Sequence, residues 1–323
     1  MLAIQISRTG GPDVLEAVDL PKPTPGPGQI LVRNEAVGLN FIDTYIRSGL
    51  YPSALPLVLG SEGAGVVEAI GEGVIRFRPG DRVGYGSGPL GAYAEFHVVS
   101  AERAALLPDA VTTRMAAAAM LKGMTAEYLL RRCYPLKAGE AALIWAASGG
   151  TGSILSQWAK AIGAVVIGCV GSPAKADLAR AHGCDHVIQY KTEDVAARVR
   201  EITAGAGVRV SYDGVGKASF DASLKSLGRR GMLVTFGNAS GPVPAIEPIA
   251  LMRAGSLYLT RPTMADYVTT REEHDDSAAA LFEVIASGAV KIEIGAEFPL
   301  RDARKAHEAL QSGETVGSTL LIP

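Results

Sequence analysis

Cysteine is scarce in this chain. Only Cys133, Cys169 and Cys184 occur, with no Cys-x-x-Cys pair. Three cysteines cannot all pair and cannot build a four-cysteine metal site, which points to a reducing, cytoplasmic compartment. Histidine is nearly as sparse: His97, His182, His186, His274 and His307. None stands at ligand spacing from another His or a Cys, because Gly183 separates His182, at a helix end, from His186, at the start of a strand. A catalytic zinc needs three protein ligands and an open position, and no such set is visible. An excess of one charge is also missing, with 31 basic residues against 33 acidic ones. Arg131-Arg132 and Arg229-Arg230 are isolated pairs, so neither nucleic acid nor an anionic membrane surface is an expected partner. The N-terminus, MLAIQISRTGGPDVLE, meets charge too early for a secretory signal. The uncharged run over 141–159 has about the length of one bilayer span. Its centre holds Gly149, Gly150 and Gly152 among Ser148, Thr151, Ser153, Ser156 and Gln157, so it reads as strand, turn and helix.

What is present is glycine (38 residues) and a regular alternation of apolar runs. At 323 residues the chain is long enough for two domains. Residues 1–110 look β-rich: QILVRNEAV, GAGVVEAI and GAYAEFHVV alternate, bounded by PKPTPGPGQ and FRPGDRV. From 124 to 262 the period changes. AALIWA, AVVIGCV, HVIQY, VRVSYD, GMLVTFG and SLYLT read as six strands separated by helices, which predicts an open, doubly wound parallel sheet. Ile154, Leu155, Trp158 and Ile162 share one helical face. Ser172-Pro173 reads as a helix cap with Pro in the first turn, and Thr192, Glu193 and Asp194 as the start of the next helix. Residues 263–323 return to mixed structure and are expected to rejoin the N-terminal domain.

Ala147-Ser148-Gly149-Gly150-Thr151-Gly152 fits G-x-G-x-x-G with Ala in the first place. The pattern carries weight because it follows a predicted strand and opens a predicted helix. Glycines there permit the tight turn and close backbone approach to a pyrophosphate, which the helix N-terminus then attracts. Sites for NAD place an acid at the end of the second strand, on the ribose hydroxyls. Here that position reads Val170-Gly171-Ser172 with no acid, Lys175 follows within a turn, and Tyr190 ends the third strand. Lys175 alone would be an ordinary solvated helix residue. Together with the missing acid and the Ser172 hydroxyl it suits a 2′-phosphate, so NADPH is the expected cofactor, and the chemistry is expected to come from it.

GLNFIDTYIRSGLYP, LGSEGAGVV, PGDRV, AASGGTG, FGNASG and the ending STLLIP resemble the medium-chain dehydrogenase/reductase superfamily. Within it they are similar to the zinc-free quinone oxidoreductases related to zeta-crystallin, over essentially the whole chain. The resemblance implies an α/β protein: a GroES-like, β-rich catalytic domain over 1–123, a Rossmann NADPH-binding domain over 124–262, and a return segment over 263–323 completing the first. It implies NADPH-dependent reduction of a small-molecule quinone, and a homodimer. Zinc-dependent relatives carry Cys where this chain has Asn40, and His where Gly60-Ser61-Glu62 has Ser61; Glu62 then reads as a buried structural carboxylate.

Carried over by motif, Asn40 and Tyr45 lie near the nicotinamide, and Tyr128 lies in the helix before the nucleotide domain. Gly149, Gly150, Thr151 and Gly152 face the pyrophosphate. Gly171, Ser172, Lys175 and Tyr190 surround the 2′-phosphate. Phe236, Gly237 and Ser240 follow the fifth strand and Arg261 the sixth. Asn40 is expected to donate to the acceptor oxygen or to the nicotinamide amide, and Tyr45 and Tyr51 to stack on the acceptor or donate protons. Two departures matter. Ser312-Gly313-Glu314-Thr315 lacks the Arg that relatives often carry there, and Asp213-Gly214-Val215 replaces the more usual Asp-Ser-Val. The other readings open at this point are reduction of α,β-unsaturated carbonyls and a crystallin-like structural or RNA-binding role.

Overall fold

A computed structural model describes residues 1–323. In chain order, β1 (Leu2–Ile6), β2 (Glu16–Asp19) and β3 (Gln29–Leu39) lead to α1 (Phe41–Ser48). Next come β4 (Leu57–Val58), β5 (Glu62–Ile70), β6 (Arg82–Tyr85), β7 (Phe96–Ser100), β8 (Ala105–Leu106) and α2 (Thr113–Tyr128). The middle of the chain alternates: β9 (Ala141–Trp145), α3 (Gly150–Ile162), β10 (Val165–Val170), α4 (Pro173–Ala181), β11 (His186–Gln189) and α5 (Val195–Ile202). It continues through β12 (Val208–Asp213), α6 (Phe220–Ser226), β13 (Leu227–Thr235), α7 (Pro248–Arg253), β14 (Tyr258–Thr260) and α8 (Met264–Tyr267). The tail is α9 (Arg271–Ala286), β15 (Ile294–Pro299), α10 (Ala303–Ser312) and β16 (Ser318–Ile322).

These elements form two compact units. One comprises Met1–Met124, Val268–Gly288 and Ile292–Pro323; the other comprises Thr125–Tyr267 and Ala289–Lys291. Residues 263–267, expected with the returning tail, group instead with the second unit.

The first unit is built on a seven-stranded sheet in the order β15-β16-β3-β5-β6-β8, with β7 also paired to β3. All its pairs are antiparallel except β15 with β16. The core gathers alternate residues of several strands, including Ile4, Ile6, Ile30, Val32, Val37, Leu39, Val83, Val99 and Leu321. Each such side chain contributes roughly 1.5–3 kcal/mol when fully buried. GAYAEFHVV is not one strand. Gly91 sits at φ +134°, Ala94 makes an isolated bridge to Ala3, and regular pairing begins at Phe96. The glycine turns the backbone, so alternation in the sequence outruns the ladder.

The second unit holds the expected six-stranded sheet, in the order β11-β10-β9-β12-β13-β14. All its pairs are parallel. Strands β9 and β10 are buried along nearly their whole length, as parallel strands covered on both faces must be. The Ser172–Pro173 start of α4 is as expected, with Ser172 Oγ accepting from Lys175 N. The start of α5 differs. The helix begins at Val195 with Asp194 as its cap, accepting from Ala197 N, while Thr192 and Glu193 precede it and the Thr192 hydroxyl donates to Gln189 O.

The glycine turn joins β9 to α3 at very close quarters. A Cβ placed on Gly152 would lie 2.1 Å from Ala146 O. Gly152→Ala is therefore expected to cost about 1–3 kcal/mol by overpacking, read as a lower midpoint in denaturant unfolding. An unchanged midpoint would mean that α3 does not need this approach.

Candidate functional site

In the second unit the strand order reverses between β9 and β12. That is the switch point, at the carboxyl ends of the strands, where open parallel sheets bind ligands. Ala146 leaves β9 at φ +52°, Gly149 N donates to Ala146 O (2.8 Å), and extended Gly149 caps α3. Helix α3 begins at Gly150, with Thr151 and Gly152 in its first turn and no acidic residue there. Its unpaired N–H groups and positive dipole end favour an anion such as a pyrophosphate.

One strand over, Gly171 and Ser172 follow β10. A Cβ on Gly171 would come within 2.8 Å of the Tyr190 hydroxyl, so the two residues are in close approach. Tyr190 is 44% exposed, and its ring lies 5.8 Å from that of Trp145. Lys175, half-buried, stands in the first turn of α4. Gly171, Ser172, Lys175 and Tyr190 thus cluster at this strand end, and none of them is a carboxylate.

The loop after β13 carries Phe236, Gly237 and Ser240. The Phe236 ring packs on Gly214, where a Cβ would meet it at 3.0 Å, and Gly237 approaches Gly214 even more closely. The Ser240 hydroxyl is spent within the loop, donating to Val215 O (2.8 Å) and accepting from Ala218 N (2.9 Å). Buried Asp213 accepts from the Ser219 and Ser223 hydroxyls and from Val215 and Gly216 N–H, which fixes the loop after β12. Arg261 Nη1 donates to Thr235 O (2.8 Å), tying the end of β14 to that of β13. Tyr128 is buried, which raises its phenol pKa, and its ring stacks on Tyr267 at 4.7 Å and 14°. Nothing in the sequence marks that partner.

In the first unit, one short segment gathers Asn40, Tyr45 and Tyr51. Asn40 and Asp43 form a capping box at the start of α1. Tyr45 is buried, with the Tyr51 ring edge-on at 5.4 Å, and Tyr51 N donates to Tyr45 O (3.1 Å). The expected donor role of Asn40 needs correction. Its Nδ2 already donates to Glu62 Oε2 (2.8 Å) and towards Gly38 O (3.4 Å). Both neighbours only accept, so the orientation of the amide is fixed and both its hydrogens point inward.

Glu62 is fully buried at the head of β5. Its Oε1 accepts from Leu121 N (2.7 Å), and its Oε2 accepts from Asn40 Nδ2 and from Lys122 Nζ (2.6 Å). A Cβ on Gly38 would meet Glu62 Oε2 at 2.1 Å, so glycine there admits the carboxylate. Sequence reading overlooked Lys122.

A second buried chain starts from the same box. Arg47 Nη1 lies 2.9 Å from His307 Nδ1, and His307 Nε2 lies 3.0 Å from the Tyr93 hydroxyl. The Tyr93 hydroxyl donates to Asp43 Oδ2 (2.9 Å), which also accepts from Asn40 N (2.9 Å). Guanidinium can only donate, so His307 Nδ1 accepts, Nε2–H donates to Tyr93, and Tyr93 donates to Asp43. Burial and then the Arg47 charge push the His307 pKa down to about 3. Burial raises Asp43 to about 7, against the opposing hydrogen bonds from Asn40 and Tyr93.

Zinc does not fit these residues. Asn40 and Ser61 replace thiolate and imidazole, the Glu62 oxygens are taken by three donors, one of them an ammonium, and no three His, Cys, Asp or Glu side chains converge as metal ligands.

A parallel sheet wound 3-2-1-4-5-6 with a glycine turn at its switch point, and a β-rich unit formed by both ends of the chain, define a medium-chain dehydrogenase/reductase. Residues 26–109 match the alcohol dehydrogenase GroES-like domain, and residues 150–285 match the family described as zinc-binding dehydrogenase. The chain belongs to the quinone oxidoreductase family. It is 52% identical over 321 residues to a quinone oxidoreductase of Pseudomonas aeruginosa, covering 99% of each chain. The structure of the Escherichia coli quinone oxidoreductase complexed with NADPH matches at TM-score 0.98 and 48% identity, covering 100% of each chain. A mycobacterial structure, also complexed with NADPH, matches at TM-score 0.98 and 50% identity, again over 100% of each chain.

The buried acid and imidazole give unit one a signature in pH. Asp43, raised, contributes stability that is complete below about 4 and lost as pH rises to about 7. His307, depressed, contributes stability present above its unfolded value and lost as pH falls towards about 3. The two slopes oppose each other over the shared window. Asp43→Asn removes the first, so its stability relative to the parent should improve between pH 4.5 and 7.5 by about 1 kcal/mol per pH unit. Thermal melts of both proteins across that range check this; a constant difference would contradict a protonated Asp43.

Proposed function

We propose that the protein is an NADPH-dependent quinone oxidoreductase acting without a metal. The observation that carries this is the end of β10: a serine cap, Lys175 in the next turn and Tyr190 alongside, with no acid among them. Full-length relatives named quinone oxidoreductase, about half identical to this chain, support it.

Bound NADPH supplies a hydride from C4 of its nicotinamide ring. The chain supplies binding, orientation and electrostatics. Gly149, Gly150, Thr151 and Gly152 offer backbone N–H groups to the pyrophosphate. Gly171, Ser172, Lys175 and Tyr190 hold the 2′-phosphate, where a carboxylate would repel it. Phe236 and Gly237 provide a close-packed wall, Arg261 a cation, and Tyr128 a buried ring; Ser240 acts by holding the loop. Asn40, Tyr45 and Tyr51 attend the reacting groups, with the amide hydrogens of Asn40 withheld by Glu62 and Gly38. The metal-free reading rests on the donor set at Asn40, Ser61 and Glu62. The comparisons favour neither an unsaturated-carbonyl reductase nor a crystallin-like RNA-binding role.

No helix is long and apolar enough to cross a membrane. The three cysteines are free, two of them buried, which supports a reducing cytoplasm. A homodimer is supported by the sheet edge at β14, where Tyr258 is 57% exposed and neighbouring α7 shows Met252 at 55%. A bare apolar edge strand invites pairing with a second copy, and light scattering should then read twice the chain mass.

Turnover with NADPH and NADH against a simple benzoquinone tests the cofactor. NADPH should be the better substrate by KM. Lys175→Ala removes one charge-assisted contact, raising the KM for NADPH roughly tenfold while leaving the weak NADH reaction unchanged. Equal efficiency with both cofactors would remove the argument from the strand end.

A further inference from the structure

The residue expected to donate to the acceptor has no hydrogen left to donate, and beside it stands one that has. Lys122, on α2, is 5% exposed. Its ammonium makes a single hydrogen bond, to Glu62 Oε2 at 2.6 Å. That same oxygen accepts from Asn40 Nδ2 at 2.8 Å, so the ammonium and the Asn40 amide converge on one atom. A buried ammonium carries three donors, and buried donors are almost always paired. Two are unspent here.

We propose that Lys122 is a further catalytic residue, which donates a hydrogen bond to the acceptor oxygen that gains negative charge during reduction. This rests on the quinone-reductase reading above and deepens it. Hydride addition brings two electrons and one proton to the quinone, oxidising NADPH to NADP⁺. A carbonyl π bond is lost, a bond to hydrogen forms, and one oxygen is left as a phenolate. Water supplies the second proton, completing the hydroquinone. Lys122 keeps its own proton and meets the phenolate as a fixed cation. Glu62 is its positioning residue: it holds the ammonium in place and, by taking the Asn40 hydrogens, leaves the lysine as the donor at this point. A preorganised donor aimed at developing charge lowers the barrier without reorganising at the moment of reaction. It also supplies, from within the chain, the positive charge that a metal would bring to a carbonyl.

The test is kinetic, on the full chain with NADPH saturating and a series of benzoquinones whose hydroquinones differ in acidity. Lys122→Met should lower kcat roughly 10–100-fold, in line with loss of one oxyanion donor, with the NADPH Kd, read by nucleotide fluorescence, within about twofold of the parent by the same reasoning. The loss should grow as the hydroquinone becomes less acidic, because the phenolate then needs more stabilisation. Lys122→Arg, which keeps the charge, should recover part of the rate. Removing the lysine alone strands a buried carboxylate, so Lys122→Met combined with Glu62→Gln provides a neutral pair and should show the same acidity-dependent loss. A kcat unchanged in both lysine-free variants would overturn the proposal. So would a loss that is uniform across the quinones. If the parent protein oxidises NADPH with no quinone at all, the function reading has failed; if it reduces quinones and Lys122→Met does so equally, only the lysine assignment has.

Discussion

A carboxylate with no exposed surface organises the first unit. Burying an ionised group is tolerated only when it is paired and hydrogen-bonded, and Glu62 meets that condition through contacts from three directions. Leu121 N and Lys122 Nζ come from α2, and Asn40 Nδ2 from the residue that caps α1. Both helices are thereby registered against the head of β5, and Gly38 is the concession β3 makes for it. The capping box then passes the constraint on. Asn40 N binds Asp43, Asp43 binds Tyr93, Tyr93 meets His307, and His307 meets Arg47. Residues far apart in sequence are joined in one directional chain, its polarity set at one end by a guanidinium that only donates and at the other by an Asp43 oxygen that accepts.

This explains which parts of the molecule can be read from sequence. The parallel sheet of the second unit is legible because burial on both faces writes itself into unbroken runs such as AALIW and VVIGCV, and because the glycine turn follows its strand directly. The Ser172 cap is legible for the same reason: cause and effect lie within three residues. Glu62 could be read as a buried carboxylate from its place in a resembling motif, but its partners could not. Lys122 is one lysine in an alanine-rich helix, 60 residues away from Glu62 in sequence. Tyr93 and His307 are separated by 214 residues, and Tyr128 from Tyr267 by most of the second unit. No local spacing announces such pairs.

The readings that needed correction share one physical feature. In each, a residue type was suited to a role and the neighbours decided otherwise. Asn40 has the right group to donate, but two acceptors already hold its hydrogens. GAYAEFHVV alternates as a strand should, but Gly91 at φ +134° bends the chain out of the ladder before Phe96. A side chain's chemistry is a list of options, and its hydrogen-bond partners select among them.

The same logic bears on how such a protein can dispense with zinc. A quinone is an undemanding electrophile, since the charge it gains is spread over an aromatic ring. A full metal charge is more than the reaction requires, whereas a desolvated ammonium is still worth much in a low-dielectric setting. A lysine alone would be poorly held there, because a buried charge needs a paired, hydrogen-bonded partner. A carboxylate alone would be worse. As a pair at 2.6 Å they are admissible, and the carboxylate fixes the neighbouring amide as well. On the proposed reading, Glu62 therefore keeps Lys122 in place and keeps Asn40 from competing with it. Substituting the two metal-ligand positions by Asn40 and Ser61 removes the reason for a metal, and the buried ion pair beside them retains a positive charge for the acceptor to meet.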